Sequence, residues 1–221
     1  MKEELSFQDI AYNRIEQMIL RSELKPGERI DKNQLEIALK LKLAPIRQAI
    51  AMLGRVNLVN IYAQSGSYVS KINVKSIYQA YTVRKSLEQL VVGRLIPKVT
   101  ANMISDLKKI INLQRVYIEA QDYDGFFDVD DQFHHYLYTA TDNEFIWNWL
   151  QEINLQFNRL RYLKVELQMS QWSQLTEEHE AIIRCIENGD AVTAKIAISQ
   201  HLDSVRRDVA SIQSVYPEYF E

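Results

Sequence analysis

The 221-residue sequence predicts a mostly α-helical protein with two parts: a winged head in residues 1–72 and an all-α antiparallel helical bundle in residues 73–221. Three observations predict this division. Apolar residues recur with a helical period through most of the chain. Two short runs with strand character lie within residues 58–70, and strand signals stop after Asn73. Between Pro97 and Pro217 there is no proline and there are only two glycines, so long helices are rarely interrupted.

The head is predicted to contain three helices followed by a β-hairpin. The first helix covers about residues 6–22, the second starts near Asp31, and the third has Pro45 in its first turn. Residues 58–62 and 67–70 read as strands around a small polar tip. This order indicates a winged helix-turn-helix, whose third helix enters the major groove of DNA. A protein-interaction domain without DNA affinity would show the same pattern.

The predicted third helix has one apolar face, expected to be buried, which carries Ile46, Ala49, Ile50 and Leu53. Arg47, Gln48 and Arg55 fall mainly on the other side, where they would be available to DNA. Residues 1–72 contain 11 Lys or Arg against 8 Asp or Glu, whereas the rest contains 15 against 21. A basic head on an acidic body suits DNA binding, although random scatter of charge would give the same counts.

The bundle is predicted to have six helices, at residues 77–95, 101–120, 126–141, 144–163, 171–187 and 191–214. The single cysteine, Cys185, excludes an intrachain disulfide and a cysteine-based zinc site. We find neither a signal peptide nor an apolar run of membrane-spanning length, so a cytoplasmic protein without membrane contact is expected.

Acidic and histidine side chains of the bundle form a candidate metal site. Asp130 and His134 are four residues apart, so they share one helix face. His179 lies ten residues before Gly189 and His201 twelve after it, which places both imidazoles at about the same height on two antiparallel helices. Zinc, nickel, manganese, iron and cobalt ions all accept such donors, and the spacing does not choose among them. From spacing alone, hydrogen-bonded core or surface histidines fit about equally well.

Three blocks of the head resemble the DNA-binding domain of GntR-family bacterial transcription regulators: residues 24–30 (LKPGERI), 45–50 (PIRQAI) and 66–69 (GSYV). In that family the arginine at the Arg47 position contacts operator DNA, and the glycine at the Gly66 position lies at the wing. The resemblance therefore implies that these two residues belong to a DNA-binding surface.

The head departs from the family pattern at two positions. Leu43 and Asn33 stand where family members carry DNA-reading arginines. Lys42 and Lys32 are placed to contact phosphates, but an ammonium group cannot reproduce the bidentate recognition of guanine by arginine. The resemblance thus implies DNA binding with an altered operator sequence.

The bundle resembles the ligand-binding (FCD) domain of the FadR branch of the same family, through residues 130–137 (DDQFHHYL), 178–182 (EHEAI) and 188–202. In metal-binding members, the positions that match Asp130, His134, His179 and His201 bind a divalent ion. The short chain before residues 83–88 is more similar to six-helix, VanR-type members than to seven-helix ones.

Two further residues are candidate effector ligands. The family arginine at the Arg84 position often faces the cavity and pairs with an acidic effector, whereas a surface ion pair with Glu88, one helical turn away, is the alternative. Asn143 suits a hydrogen-bond donor in the pocket and a helix cap equally well.

These observations predict a homodimeric transcriptional regulator, most simply a repressor, that binds palindromic operator DNA and responds to a small organic acid bound beside a divalent metal ion. We consider two alternatives. One is a metal-dependent hydrolase or isomerase acting on small acids, for which Asp131 is the nearest candidate base. The other is a regulator whose metal ion is itself the signal or is purely structural.

Overall fold

The computed structural model describes residues 5–167 and 171–221, which are mostly helical. The head contains, in chain order, α1 (Phe7–Leu20), α2 (Lys32–Leu39), α3 (Leu43–Arg55), β1 (Val59–Tyr62) and β2 (Gly66–Val69). The two strands pair antiparallel, with Val59 opposite Val69. The predicted order of three helices and a hairpin is confirmed.

Local capping and apolar periodicity explain the helices of the head. The hydroxyl of Ser6 accepts a hydrogen bond from Asp9 N, and the Asp9 carboxylate in turn accepts one from Ser6 N, so that a capping box starts α1. Asp31 caps α2 by accepting hydrogen bonds from the backbone of Asn33 and Gln34. The apolar face predicted for α3 is buried and packs in the core of the head, as predicted.

In the described residues the body contains eight helices: α4 (Val74–Leu95), α5 (Ala101–Ala120), α6 (Tyr123–Thr139), α7 (Glu144–Ile153), α8 (Leu155–Leu167), α9 (Trp172–Glu187), α10 (Ala191–Leu202) and α11 (Val205–Val215). Single 3-10 turns follow α4 (Ile96–Lys98) and α11 (Pro217–Tyr219).

The expected count of six helices is wrong, because two predicted helices are each interrupted. The predicted helix 144–163 breaks at Asn154, and the predicted helix 191–214 breaks at Asp203 and Ser204. Each break separates segments that pack in different cores: Leu150 lies in the main core of the bundle, whereas Leu155 lies in the core of the head. Neither break contains a glycine or a proline, the strongest local signals for the end of a helix.

Helix α8 joins the two parts of the molecule. It packs against α1 of the head and against α4, α6 and α11 of the body. The connector between head and body is also held by the end of the chain, because Ile72 N donates to Tyr219 O at 2.8 Å. No described helix combines the length and apolarity needed to cross a membrane.

Candidate functional site

Four side chains from three helices meet in the interior of the body. Asp130 and His134 lie on α6, His179 on α9 and His201 on α10. The Nε2 atoms of His179 and His201 are 3.3 Å apart, and Asp130 Oδ1 lies 3.6 Å from His179 Nε2. One ring nitrogen from each histidine lies within 4.8 Å of the other two, and all three residues are buried. The structure therefore brings together the four residues that the sequence grouped as candidate metal ligands.

The turn between α9 and α10 explains why His179 and His201 meet. Gly189 has a φ of +72°, in the left-handed region that favours glycine. Asp190 then caps α10 by accepting a hydrogen bond from Thr193 N at 3.0 Å. The chain reverses within this short turn, so residues at similar distances from Gly189 lie side by side.

Each of the three imidazoles uses its Nδ1 atom for a contact outside the cluster. The pairs are His134 with Glu88 (2.8 Å), His201 with Glu178 (2.8 Å) and His179 with the side-chain amide of Gln114 (3.1 and 3.2 Å to its two polar atoms). Both carboxylates can only accept, so the Nδ1 atoms facing them donate. These carboxylates fix the ring orientation and the tautomer of His134 and His201, which leaves their Nε2 atoms as lone-pair donors. At His179, the amide oxygen of Gln114 can accept from Nδ1, which gives the same tautomer.

The charges at the cluster suit a cation. Burial lowers the pKa of His134 and of His179 well below the usual value, and the Arg84 charge acts in the same direction on His134. Burial alone would raise the pKa of Asp130, but the Arg161 guanidinium lowers it below its usual value. One carboxylate and neutral imidazoles are the protonation states that bind a divalent metal ion.

Arg161 on α8 is a residue of this cluster that sequence reasoning missed. Its guanidinium donates to Asp130 Oδ2 at 2.6 Å and to Asp131 Oδ1 at 3.0 Å. Asp131, the candidate general base of the enzymatic alternative, is therefore held in an ion pair away from the histidines. No sequence signal links Arg161 to Asp130, because α7 and a helix break separate them along the chain.

A cavity of about 50 Å³ adjoins the cluster, which is room for a few water molecules. Its lining includes Asp130, His134, His201 and Arg84. The ion pair between Arg84 and Glu88, which was the alternative to a pocket role, is present at 2.5 Å, but it is buried rather than on the surface. Among the described residues, Arg84 Nη2 has no hydrogen-bond partner. A buried guanidinium with an unused donor matches an acidic ligand.

Asn143 does not line this cavity, in contrast to its assignment as an effector ligand. Its side-chain amide donates to the Thr141 carbonyl at 2.8 Å, and its amide oxygen accepts from Arg94 at 3.2 Å. Asn143 is the N-cap residue of α7, but its side chain makes no capping hydrogen bond to the backbone of that helix. It therefore has a structural role at the α6–α7 connection.

A depression on the head collects part of the predicted DNA-binding set. Lys32, Arg47 and Gly66 line it, between α2, the start of α3 and the wing. Asn33 and Leu43, the two departures from the family pattern, line it as well.

The other predicted DNA-binding residues lie outside the lining of this depression. Lys42 is the exposed N-cap of α3 and Gln48 is exposed on that helix. Arg55 is exposed at the far end of α3, about 12 Å along the axis from Arg47.

Arg29 is a second residue that the sequence reasoning did not single out. It lines the same depression, and its Nε lies 3.2 Å from the point where a β-carbon on Gly66 would stand. Gly66 has a φ of +121°, so both its backbone and the neighbouring guanidinium favour glycine at the wing. Arg29 lies within residues 24–30, one of the blocks that resemble the family, but the sequence does not show that it faces the wing. The backbone bridge between Arg29 and Tyr68 places it there.

Comparison with known protein families gives matches over both parts of the chain. Residues 7–69 match the family model described as bacterial regulatory proteins, gntR family. Residues 79–204, more than half of the chain, match the FCD domain model.

Relatives of this chain include two named repressors. The HTH-type transcriptional repressor RspR of Escherichia coli K12 is 25% identical over 209 residues, which cover 95% of this chain and 91% of RspR. The gluconate operon transcriptional repressor of Bacillus subtilis is 24% identical over 207 residues, which cover 92% and 84%.

Solved structures share the fold over nearly the whole chain. Escherichia coli McbR/YncC aligns with a TM-score of 0.80 at 15% identity and covers 96% of this chain and 100% of its own. A GntR regulator from Rhodococcus sp. RHA1 aligns with a TM-score of 0.74 at 17% identity, with coverages of 90% and 95%. At these identities the likeness concerns the fold alone.

Proposed function

Because the chain belongs to the GntR family of bacterial transcriptional regulators and carries an FCD domain, we propose that it is a cytoplasmic, ligand-responsive repressor. Residues 1–72 bind operator DNA, and residues 73–221 bind a divalent metal ion and a small organic acid. The relatives are regulators rather than enzymes, and two of them are named repressors. The enzymatic alternative is therefore set aside.

The DNA-binding surface is the depression between α2, α3 and the wing. Arg47 enters the major groove on α3, Arg29 and Lys32 neutralise phosphates beside it, and Gly66 lets the wing approach the DNA backbone. Lys42, Gln48 and Arg55 extend this surface along the exposed face of α3. One head offers too little area for specific binding, so two heads on a homodimer read a palindromic site.

The convergence of three histidines and one aspartate in the bundle is the observation that carries the metal proposal. The Nε2 atoms of His134, His179 and His201, together with Asp130 Oδ1, would bind the ion. Zinc, nickel, manganese, iron and cobalt all suit this donor set. When bound, the ion would supply positive charge that attracts a carboxylate, and the protein side chains would hold the acid and orient it.

The acid is proposed to lie between the metal centre and Arg84. Support comes from the buried Arg84 Nη2 that lacks a partner and from its place in the lining of the cavity. The small present volume of the cavity requires the lining to move when an organic acid enters. The printed name of the Bacillus subtilis relative refers to a gluconate operon, so hydroxy acids belong in the set of ligands to test.

A thermal-shift screen tests the proposed ligand site. Short carboxylic acids, including gluconate, are added to metal-loaded and chelator-treated protein. We expect an acid that raises the melting temperature only in metal-loaded protein, with the rise absent in Arg84→Met. Lys108→Met, which removes an exposed cation from α5, serves as the matched control and should retain the response. If the same acids stabilise metal-free protein equally, the metal is not part of the effector site.

The role of the metal is decided separately. If metal loading alone changes operator affinity, the ion is itself the signal. If it changes only the melting temperature, and no acid changes operator affinity, the ion is structural.

A further inference from the structure

Helix α8 contacts both the candidate metal centre and the head, through residues close together on the same helix. Arg159, which is 1% exposed, donates to the Ser70 carbonyl at 2.8 Å and to the Ser70 hydroxyl at 3.2 Å. Ser70 directly follows the second wing strand. Leu155, one turn before Arg159, packs in the core of the head. The first residues of α8 therefore pack against the head.

Two residues after Arg159, the same helix holds a candidate metal ligand. Arg161 forms ion pairs with Asp130 and Asp131 and donates to Asn158 Oδ1 at 3.0 Å. The side chain of Arg161 is mostly buried, and its Cζ atom lies 5.1 Å from the centroid of the Phe127 ring. A planar guanidinium that bridges two carboxylates fixes α8 against α6 in one register.

A second set of contacts ties α6 to the head. Arg21, the C-cap residue of α1, pairs with Asp124 at 2.6 Å and with Asp128 at 2.7 Å. Tyr162 on α8 donates to Asp124 Oδ1 at 2.9 Å. Helix α6 thus presents Asp130 to the metal centre and its acidic first turns to the head. Movement of α6 relative to α8 would disturb both Arg21 and Arg161.

We propose that Arg161 is a positioning residue that couples occupancy of the metal centre to the placement of the head. It orients Asp130 for the cation, and α8 carries any change at Asp130 to Ser70 through Arg159. This inference rests on the proposed function, because it requires a cation at the cluster. A buried ion-pair network adds little net stability compared with apolar packing, so its contribution here is the choice of one helix register.

The coupling is measured by hydrogen–deuterium exchange on the full-length protein, with Zn²⁺ alone as the probe. In wild-type protein, Zn²⁺ is expected to slow amide exchange in peptides from residues 57–73 by about 5-fold or more, the lower end of typical coupling between sites. Peptides from α9 and α10 report binding itself. Elemental analysis gives the bound zinc in every sample.

Two variants separate the positioning of Asp130 for the metal ion from the coupling of the metal centre to the head. Arg161→Met is expected to bind Zn²⁺ about 10- to 100-fold more weakly, as for lost outer partners of metal ligands, and to lose the slowing at residues 57–73 even at saturating Zn²⁺. Arg159→Met is expected to keep wild-type Zn²⁺ affinity but to lose the same slowing. Lys108→Met, which breaks an ion pair between α5 and α9, should resemble wild type in both readouts.

The proposal is overturned if Arg161→Met, saturated with Zn²⁺, slows exchange at residues 57–73 as much as wild type does. It is also overturned if wild-type protein binds Zn²⁺ without slowing at those residues. If Arg161→Met does not fold, Arg161→Lys decides, because it keeps a cation without the planar fork. Full wild-type slowing in Arg161→Lys then contradicts the proposal. Wild-type protein that binds no zinc refutes the proposed metal centre, and elemental analysis shows this directly.

Discussion

The head and the body differ in how their functional residues are assembled. In the head, the candidate DNA-binding residues Arg29, Lys32, Arg47 and Gly66 lie within 38 consecutive positions and form one surface. In the body, the candidate metal ligands come from three helices, and their outer partners Glu88 and Gln114 come from two more. Because the DNA-binding surface is built from one short segment, substitutions there can change which operator is bound without disturbing the histidine cluster in the body. The buried cluster, in contrast, depends on the packing of the whole bundle.

Removal of two metal ligands tests the separation of the two regions most severely. We expect His179→Ala combined with His201→Ala to reduce metal affinity by more than about 100-fold, beyond the loss of an outer partner. Elemental analysis after dialysis measures this. Binding of the variant to nonspecific DNA should equal that of metal-free wild type, because the head is intact. Equal metal content in variant and wild type would refute the metal centre.

Removal of the main base-reading side chain is the reciprocal test. We expect Arg47→Ala to weaken binding to the operator by about 10- to 100-fold, since a bidentate arginine contact is worth about 1–3 kcal/mol. Fluorescence anisotropy on the upstream DNA of the gene measures the affinity, and metal content should stay unchanged. Lys109→Ala, at an exposed position on α5, is the control. Unaltered operator affinity in Arg47→Ala would place the base contacts elsewhere.

Loss of a residue that contacts a metal ligand should reduce metal affinity less than loss of the ligands themselves. Gln114→Leu removes the contact to His179 Nδ1, and we expect metal affinity to fall by about 10-fold. Asn112→Leu makes the same kind of change at an exposed position on the same helix. Competitive chelator titration compares the two variants. Similar affinities in both would show that Gln114 does not orient His179.

The smallest expected effect concerns Arg29. If Arg29 contacts phosphate, Arg29→Ala should weaken binding to operator DNA and to nonspecific DNA to the same degree. It should also lower the slope of log affinity against log salt concentration by about 1. Titrations at several salt concentrations measure the slope. A loss confined to the operator would instead show that Arg29 reads a base.

The predictability of each region follows from the range of its contacts. The burial of Ile46, Ala49, Ile50 and Leu53 was predictable, because a helical period within one segment decides it. The proximity of His179 and His201 along the bundle axis was also predictable, because a single turn at Gly189 joins their two antiparallel helices. From spacing alone the four-residue cluster had an equally good alternative, and the family resemblance was needed to favour it.

Tertiary packing decided the features that the sequence did not predict. Asn154 ends α7 because the residues on its two sides belong to different cores, and neither a glycine nor a proline marks this. Arg161 approaches Asp130 only after α8 has docked on α6. By sequence, Asn143 suits a pocket ligand and a helix cap equally well, but contacts to Thr141 and to Arg94 of α4 engage its side chain. Contacts between helices distant in sequence cannot be obtained from periodicity.

In the proposed function, the body senses an organic acid beside a metal ion and thereby changes the affinity of the head for DNA. The direct measurement is operator affinity of metal-loaded wild-type protein, titrated with the acid that gives the largest thermal shift. We predict a change in operator affinity of at least about 5-fold, which disappears after chelation and in Arg84→Met. An operator affinity that stays constant, while the same acid binds and stabilises the metal-loaded protein, would contradict the proposed function.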